Sequence, residues 1–405
     1  MEDRTLSEIR VVEMGEMVSG PYCARLMAAL GAEVIKVEPP SGDGARAHGP
    51  FPGGEAHREK SGLFLAMNLD KKGVTLDVTS GEGTRMFHRL AAEADVLVEN
   101  GPPGRLKKLG LGYETLKVDN PGLVMVSITP FGQDGPYKDY VSHDLNRWHA
   151  GGWGYLWKER NAEGLPGRLV RGPGFLPAFQ AAYNALAATL GALYFRDLGG
   201  EGQHIDVSEQ EAMAFILAGG FPIYNGENRI HGRDVAIPAS VPSGVLPCRD
   251  GYVLLSAIEP HQWEGLVTML GEPEWSREEW TQSAEGRRLN YDIINAFLLE
   301  WLEDKDTDWV VERAIERRIP ASPVGVTAER LARDKHLEER GFFVEMEHPE
   351  AGNLRYPSAP FRFSETGSST RLPAPLLGQH NDEIYGEWLG CSTNDLARLK
   401  WEGTI

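Results

Sequence analysis

The sequence predicts an α/β protein: a parallel sheet with helices on both faces, accompanied by a smaller α+β domain. Three observations carry that reading. The chain has 405 residues, more than twice an ordinary domain. Short apolar runs alternate with helical patterns through the first half, as in successive βα units. Beyond Gly219-Gly220 the composition changes, and five tryptophans gather between positions 263 and 309, enough aromatic surface for a second core.

Residues 11–14 read as the first strand, 21–30 as a helix and 33–37 as the second strand. A helix over 81–94, a strand at Val96-Leu97-Val98 and another over 123–128 follow. The last two strands show little polar alternation, as expected where both faces of a sheet are covered. Gly20-Pro21 marks a helix start, since proline in a first turn forfeits no needed N–H. Such an N-terminus beside a sheet edge suits a phosphate or carboxylate. Residues 176–195 read as a long helix, with Ala178, Ala181, Ala182, Ala185, Ala188 and Ala192 at spacings of three and four. That small-residue stripe lets another helix approach closely. Residues 203–207 make a short strand, with a helix from Ser208. The stretch 224–244 is loop-rich. A strand over 251–257 and helical patterns over 262–270, 292–302 and 309–317 build the smaller domain, and 320–326 return to the larger one. No repeat of solenoid length is evident.

Charge narrows the function. Lys and Arg number 41 against 59 Asp and Glu, a formal net charge of −18. Nucleic acid or an anionic membrane would call for a basic face, so neither is expected as a partner. Cys23, Cys248 and Cys391 are far apart and form no CxxC, which predicts a reducing compartment without a disulfide framework or zinc site. The charged start Met1-Glu2-Asp3-Arg4 shows no signal-peptide pattern. The most apolar stretch, 176–195, is interrupted by Pro177, Gln180, Asn184 and Thr189 and reads as a core helix, not a membrane span. A cytoplasmic protein is expected.

Candidate chemistry is local. Lys71-Lys72 and the run Arg105-Leu106-Lys107-Lys108 lie near expected strand ends. On an acidic protein they are the best cations for a phosphate-bearing ligand; the plain alternative is two solvated surface runs. His143-Asp144 is the most suggestive acid–base pair, although adjacent residues need not face each other. GxGxxG, GxxxxGK[ST] and HExxH are absent, and Ser243-Gly244 lacks the GxSxG setting of a hydrolase nucleophile. No metal is expected. From the residues alone the reading stops at an α/β protein with an anion site.

Taken together, six stretches resemble the class III CoA-transferase family, that of the formyl-CoA and carnitine CoA-transferases. They are Ser19-Gly20-Pro21, the run GAEVIKVEPP at 31–40, Val98-Glu99-Asn100, FGQDGP at 131–136, GEGQHIDVS at 200–208 and LGQHN at 377–381. The resemblance implies a Rossmann-like large domain from residues 1–222 and 327–405, a small domain from 223–326, and two protomers interlinked like rings. It implies CoA and acyl-CoA as substrates rather than a resident cofactor. It also places a CoA groove along Val18, Ser19, Lys71, Lys72, Asn100, Arg105 and Lys108.

Two departures stand out. Members of the family carry an aspartate near the start of the long alanine-rich helix, whose carboxylate attacks the acyl-CoA. Here that position is Ala178, and neighbouring Pro177, Phe179 and Gln180 offer no carboxylate. The family's glycine-rich flap falls at 237–244, which reads IPASVPSG and is stiffened by proline. The favoured expectation is therefore a subunit without its own nucleophile, paired with a homologous aspartate-bearing chain, and otherwise a homodimer. It looks like the nucleophile-lacking subunit type of benzylsuccinate CoA-transfer in anaerobic toluene breakdown. The alternatives are a self-sufficient transferase or dehydratase of altered mechanism, a 2-methylacyl-CoA racemase-like enzyme using His143, and a CoA-binding scaffold.

Overall fold

The computed structural model describes residues 4–156, 158–160, 166–169, 172, 174–217, 220–228, 230, 241–367 and 370–405. Contacts divide the chain into two compact units. One comprises Met1–Arg160, Gly167–His231 and Arg340–Ile405; the other comprises Asn161–Pro166 and Gly232–Glu339.

The first unit is built on a six-stranded parallel sheet. Its strands are β1 (Arg10–Met14), β2 (Glu33–Glu38), β3 (Lys71–Thr75), β4 (Val96–Glu99), β5 (Val124–Thr129) and β6 (His204–Ser208). They lie in the order 3-2-1-4-5-6. Val11 pairs with Val34 of β2 on one side and Val96 of β4 on the other. The strand order therefore reverses at β1/β4, the switch point where open α/β sheets bind ligands beyond their carboxyl ends. This is the doubly wound order expected of a Rossmann-like sheet, reached without a GxGxxG turn.

Helices cover both faces, so the central strands carry apolar side chains on each side: Val11, Val12, Val96, Leu97 and Val98 are fully buried. On one face α1 (Ser19–Ala29) meets α2 (Leu176–Asp197), the alanine-rich helix. Ala181, Ala182 and Ala185 are buried against Cys23, Ala24 and Met27 in one apolar cluster. Thr189, the polar residue in that stripe, returns its hydroxyl to Ala185 O at 2.7 Å. The opposite face of α2 exposes Tyr183, Tyr194 and Phe195, and Leu198 just beyond it. Two short helices complete the region of interest: α3 (Asp144–Ala150) before α2, and α4 (Glu209–Phe215) after β6. Among the described residues no helix is long and apolar enough to cross a membrane.

The second unit has a three-stranded antiparallel sheet, with the central strand Gly251–Ser256 flanked by Ser243–Cys248 and Ala321–Val324. Its core gathers Val253, Leu255, Trp263, Leu266, Leu298 and Val310.

Candidate active site

The site begins where β1 ends. Gly15 is required there by close packing, since a Cβ on it would lie 2.9 Å from Pro21 Cδ and 3.0 Å from Gly20 Cα. The chain then turns through Glu16, Met17 and Val18 into α1. Met17 sits at φ 64°, and its N–H donates to Asp43 Oδ1 at 3.0 Å. Asn100, just past β4, holds the turn on both sides. Its Oδ1 accepts from Glu16 N at 2.8 Å, and its Nδ2 donates to Glu16 O at 2.8 Å and Ser19 Oγ at 3.0 Å.

This turn forms one wall of a cavity of about 710 Å³. Val18, Ser19 and Asn100 lie on that wall. His143, Asp144 and Arg147 come from the start of α3, Ala178 from the first turn of α2, and Glu209 from the first turn of α4. The structure thus brings together six of the residues singled out in the sequence: Val18, Ser19, Asn100, His143, Asp144 and Ala178. Ala178 presents a methyl group and is 3% exposed.

Two of the cavity's groups were not legible in the sequence. Arg147 donates from Nη1 to Glu209 Oε2 at 2.5 Å. Glu209 is 2% exposed. Burial pushes its carboxyl above the usual range, Arg147 and Ser19 oppose the rise, and Asp144 reinforces it. Asp144 Oδ1 and Arg147 Nε are buried without a hydrogen-bond partner among the described residues. One signal existed for Arg147: it lies four residues after His143, one helical turn along the same face. Glu209 directly follows the GEGQHIDVS stretch, and nothing local marks it out. His143 donates its backbone N–H to Asn146 Oδ1 at 3.0 Å, which starts α3 and sets the ring at the cavity's edge.

The expected cationic groove needs correction at Lys71. That lysine opens strand β3 with its side chain fully buried. Its Nζ meets Glu13 Oε2 at 3.0 Å, Pro21 O at 2.7 Å and Asn68 Oδ1 at 2.8 Å, which uses all three donors inside the protein. Burial pulls the ammonium down to about 8, against the opposing pull of Glu13. Lys72 bridges Glu33 and Glu383, each at 2.7 Å. Neither lysine therefore presents a free charge to a phosphate. Arg105 lines a small crevice at the ends of β1, β2 and β3, together with Glu38 and Thr79. Lys108 is exposed on the short helix Arg105–Lys108.

Residues 237–240 of the expected flap lie outside the described residues. Of the remainder, Val241 is buried, and Ser243 and Gly244 open a strand. No group of three or more His, Cys, Asp or Glu among the described residues is placed to hold a metal ion.

An open α/β sheet with a cavity at its switch point defines a ligand-binding enzyme fold, and the comparisons with known proteins give the family. The model of CoA-transferase family III matches residues 6–381, and the chain belongs to that family. It is 32% identical to the succinyl-CoA–D-citramalate CoA-transferase of Chloroflexus aurantiacus over 411 residues, which span 99% of this chain and 98% of the relative. The alpha and beta subunits of the succinyl-CoA–L-malate CoA-transferase of Chloroflexus aurantiacus are 31% and 30% identical. Those matches span 98% and 99% of this chain and 92% and 98% of the subunits. Among solved structures, a CAIB/BAIF family protein from Brucella suis superposes with a TM-score of 0.85 at 29% identity, covering 95% of this chain and all of that one. CoA transfer is the chemistry of this family, with CoA thioesters as substrates and no permanently bound cofactor.

Proposed function

We propose that this chain is the non-nucleophilic subunit of a heteromeric CoA-transferase, moving CoA between an acyl-CoA such as succinyl-CoA and a carboxylic acid. Ala178 carries the reading. In the family chemistry an aspartate oxygen attacks the thioester carbonyl, the C–S bond breaks and CoA leaves as its thiolate, giving a mixed anhydride. A methyl group in that wall of the cavity performs no such attack. A homologous chain that keeps the aspartate supplies the nucleophile in this reading, and the two protomers interlink.

Two observations support a partnered assembly. The outer face of α2 exposes Tyr194 (68%), Phe195 (56%) and, just past its end, Leu198 (70%), which is costly in water for a free chain. Relatives of similar identity include an alpha and a beta subunit of one enzyme. CoA in this reading lies along Val18, Ser19 and Asn100, with its phosphates toward Arg105 and Lys108. The acid expected from the resemblance, benzylsuccinate, carries two carboxyl groups.

The test is co-expression with an aspartate-bearing homologue from the same genome. Native mass measurement should give a mixed assembly, and trapping with hydroxylamine should label only the partner's aspartate. A homodimer of this chain with full transferase activity would overturn the reading.

One observation favours a second reading, proton exchange at the α-carbon of an acyl-CoA: His143, Asp144 and Glu209 line the same cavity. Deuterium incorporation from D2O into the acyl-CoA by this chain alone would support it, and none would remove it.

A further inference from the structure

Arg147 is the only arginine or lysine among the described residues lining the cavity beside Ala178. Its guanidinium is half used. Nη1 donates to Glu209 Oε2 at 2.5 Å, whereas Nε is buried with no partner among the described residues. A guanidinium is a rigid planar fork whose edges match carboxylates. Glu209 shows that a carboxylate seats on Nη1, and Nη2, neither buried nor hydrogen-bonded among the described residues, remains for another.

We propose that Arg147 is a specificity residue that seats the free carboxylate of a dicarboxylic acid, or of its CoA monothioester, so that such acids are preferred over monocarboxylic acids of equal length. This deepens the transferase reading and rests on that reading's placing of the acyl group and acid in this cavity.

The charge balance of the site has a consequence. Glu16, Asp144 and Glu209 line the cavity against one guanidinium and the imidazoles of His48 and His143, so a further carboxylate enters readily as one of these groups takes a proton. Glu209 is placed to do so. It is 2% exposed, and burial already favours its neutral form over the opposition of Arg147 and Ser19. The helices and strand packed on α4 bring few other titratable groups to it. From α3 come Asp144, Arg147 and His149; from β6 come His204, bound to Ser127 Oγ, and Asp206, which accepts from Gln133 N. The α2 segment 176–195 contains no Asp, Glu, Lys or Arg, and Glu211 is exposed on α4 itself. Dicarboxylate binding therefore takes up a proton, and affinity falls as pH rises.

The test titrates the full chain, with its partner where one co-purifies, with succinyl-CoA and butyryl-CoA, which share a four-carbon acyl chain and differ in the distal carboxylate. The wild type should prefer succinyl-CoA. Arg147→Gln should weaken succinyl-CoA by about tenfold or more, the loss of a charged hydrogen bond, and change butyryl-CoA by less than about twofold. Arg147→Lys, which keeps the charge without the second edge, should fall between them and guards against a folding defect. Titrations in buffers of different protonation enthalpy should show proton uptake with succinyl-CoA in the wild type and none in Glu209→Gln. Equal losses for both thioesters, or no loss for either, would overturn the role of Arg147 while leaving CoA binding intact. A wild type that binds neither thioester would overturn the transferase reading and this inference together.

Discussion

Lys71 and Glu13 form an ion pair of 3.0 Å in which neither side chain is exposed to solvent. The other oxygen of Glu13 accepts from Gly15 N at 2.7 Å and from Lys36 Nζ at 3.3 Å. Lys36 in turn meets Asp43, whose Oδ1 holds Met17 N. Three strands and a loop thus meet in a buried charge network directly behind the cavity wall. Removing one partner from such a pair leaves a buried charge uncompensated. Lys71→Ala should lower unfolding stability by about 3 kcal/mol, read from urea denaturation, with the salt dependence of CoA binding unchanged. Normal stability combined with a flattened salt dependence would return Lys71 to the groove.

The groove's cationic character should instead reside at the helix Arg105–Lys108. Replacing both Arg105 and Lys108 by Ala should weaken CoA by about tenfold or more and reduce the sensitivity of binding to salt. Calorimetry at two ionic strengths decides it. Unchanged affinity would remove these residues from the CoA path.

How much of this was legible in the sequence depended on whether a residue's role is local. Val96-Leu97-Val98 reads as a doubly covered strand because both faces are apolar, and the structure buries all three. Ala178 stands out only through the resemblance to the family, whose aspartate position is reached by counting back along the helix from Arg196. Lys71-Lys72 misled because two lysines look solvated until Glu13, 58 residues earlier, is brought against Lys71, and Glu33 and Glu383 against Lys72. The pair Arg147–Glu209 is separated by 62 residues, and only the meeting of α3 with α4 creates it.

Ala178 sets a sharp kinetic expectation. The isolated chain should show no ping-pong exchange between succinyl-CoA and a carboxylic acid. Ala178→Asp should recover little, because a misplacement of about 1 Å can cost a hundredfold. Peptide mass analysis after hydroxylamine treatment should find no acylated carboxylate. Label on Asp144 or Glu209 would show that the nucleophile has moved rather than vanished.

The outer face of α2 should govern assembly. Tyr194→Glu places a charge on a surface that contains none from 176 to 195 and should shift the protein toward monomer in sedimentation, with little loss of helix content. An unaltered mass would free that face from any interface.

Glu209 should leave a mark on the pH dependence of stability. Its folded-state pKa is raised from 4.5 by burial, against Arg147 and Ser19. Below 4.5 both states hold the proton; as pH rises the unfolded chain releases it first, so this group's contribution to stability is lost on the way to neutrality. Glu209→Gln escapes that loss. The difference in Tm, variant minus wild type, should therefore grow from pH 4 to pH 8. A difference that stays flat would sink the assignment.

Synthesis faces a problem that catalysis does not. Twenty consecutive residues of α2 carry no charge, yet among the described residues one side of that helix is covered while Tyr183, Tyr194 and Phe195 stay exposed on the other. In the heteromer proposed above, a newly made chain has two fates, capture by its counterpart or self-association through Tyr194, Phe195 and Leu198. Capture slows as the counterpart becomes scarce, whereas self-association quickens with every extra copy of this chain. Matched production of the two chains is then a condition for recovering either in usable form, and an excess of this one is the composition most prone to precipitate.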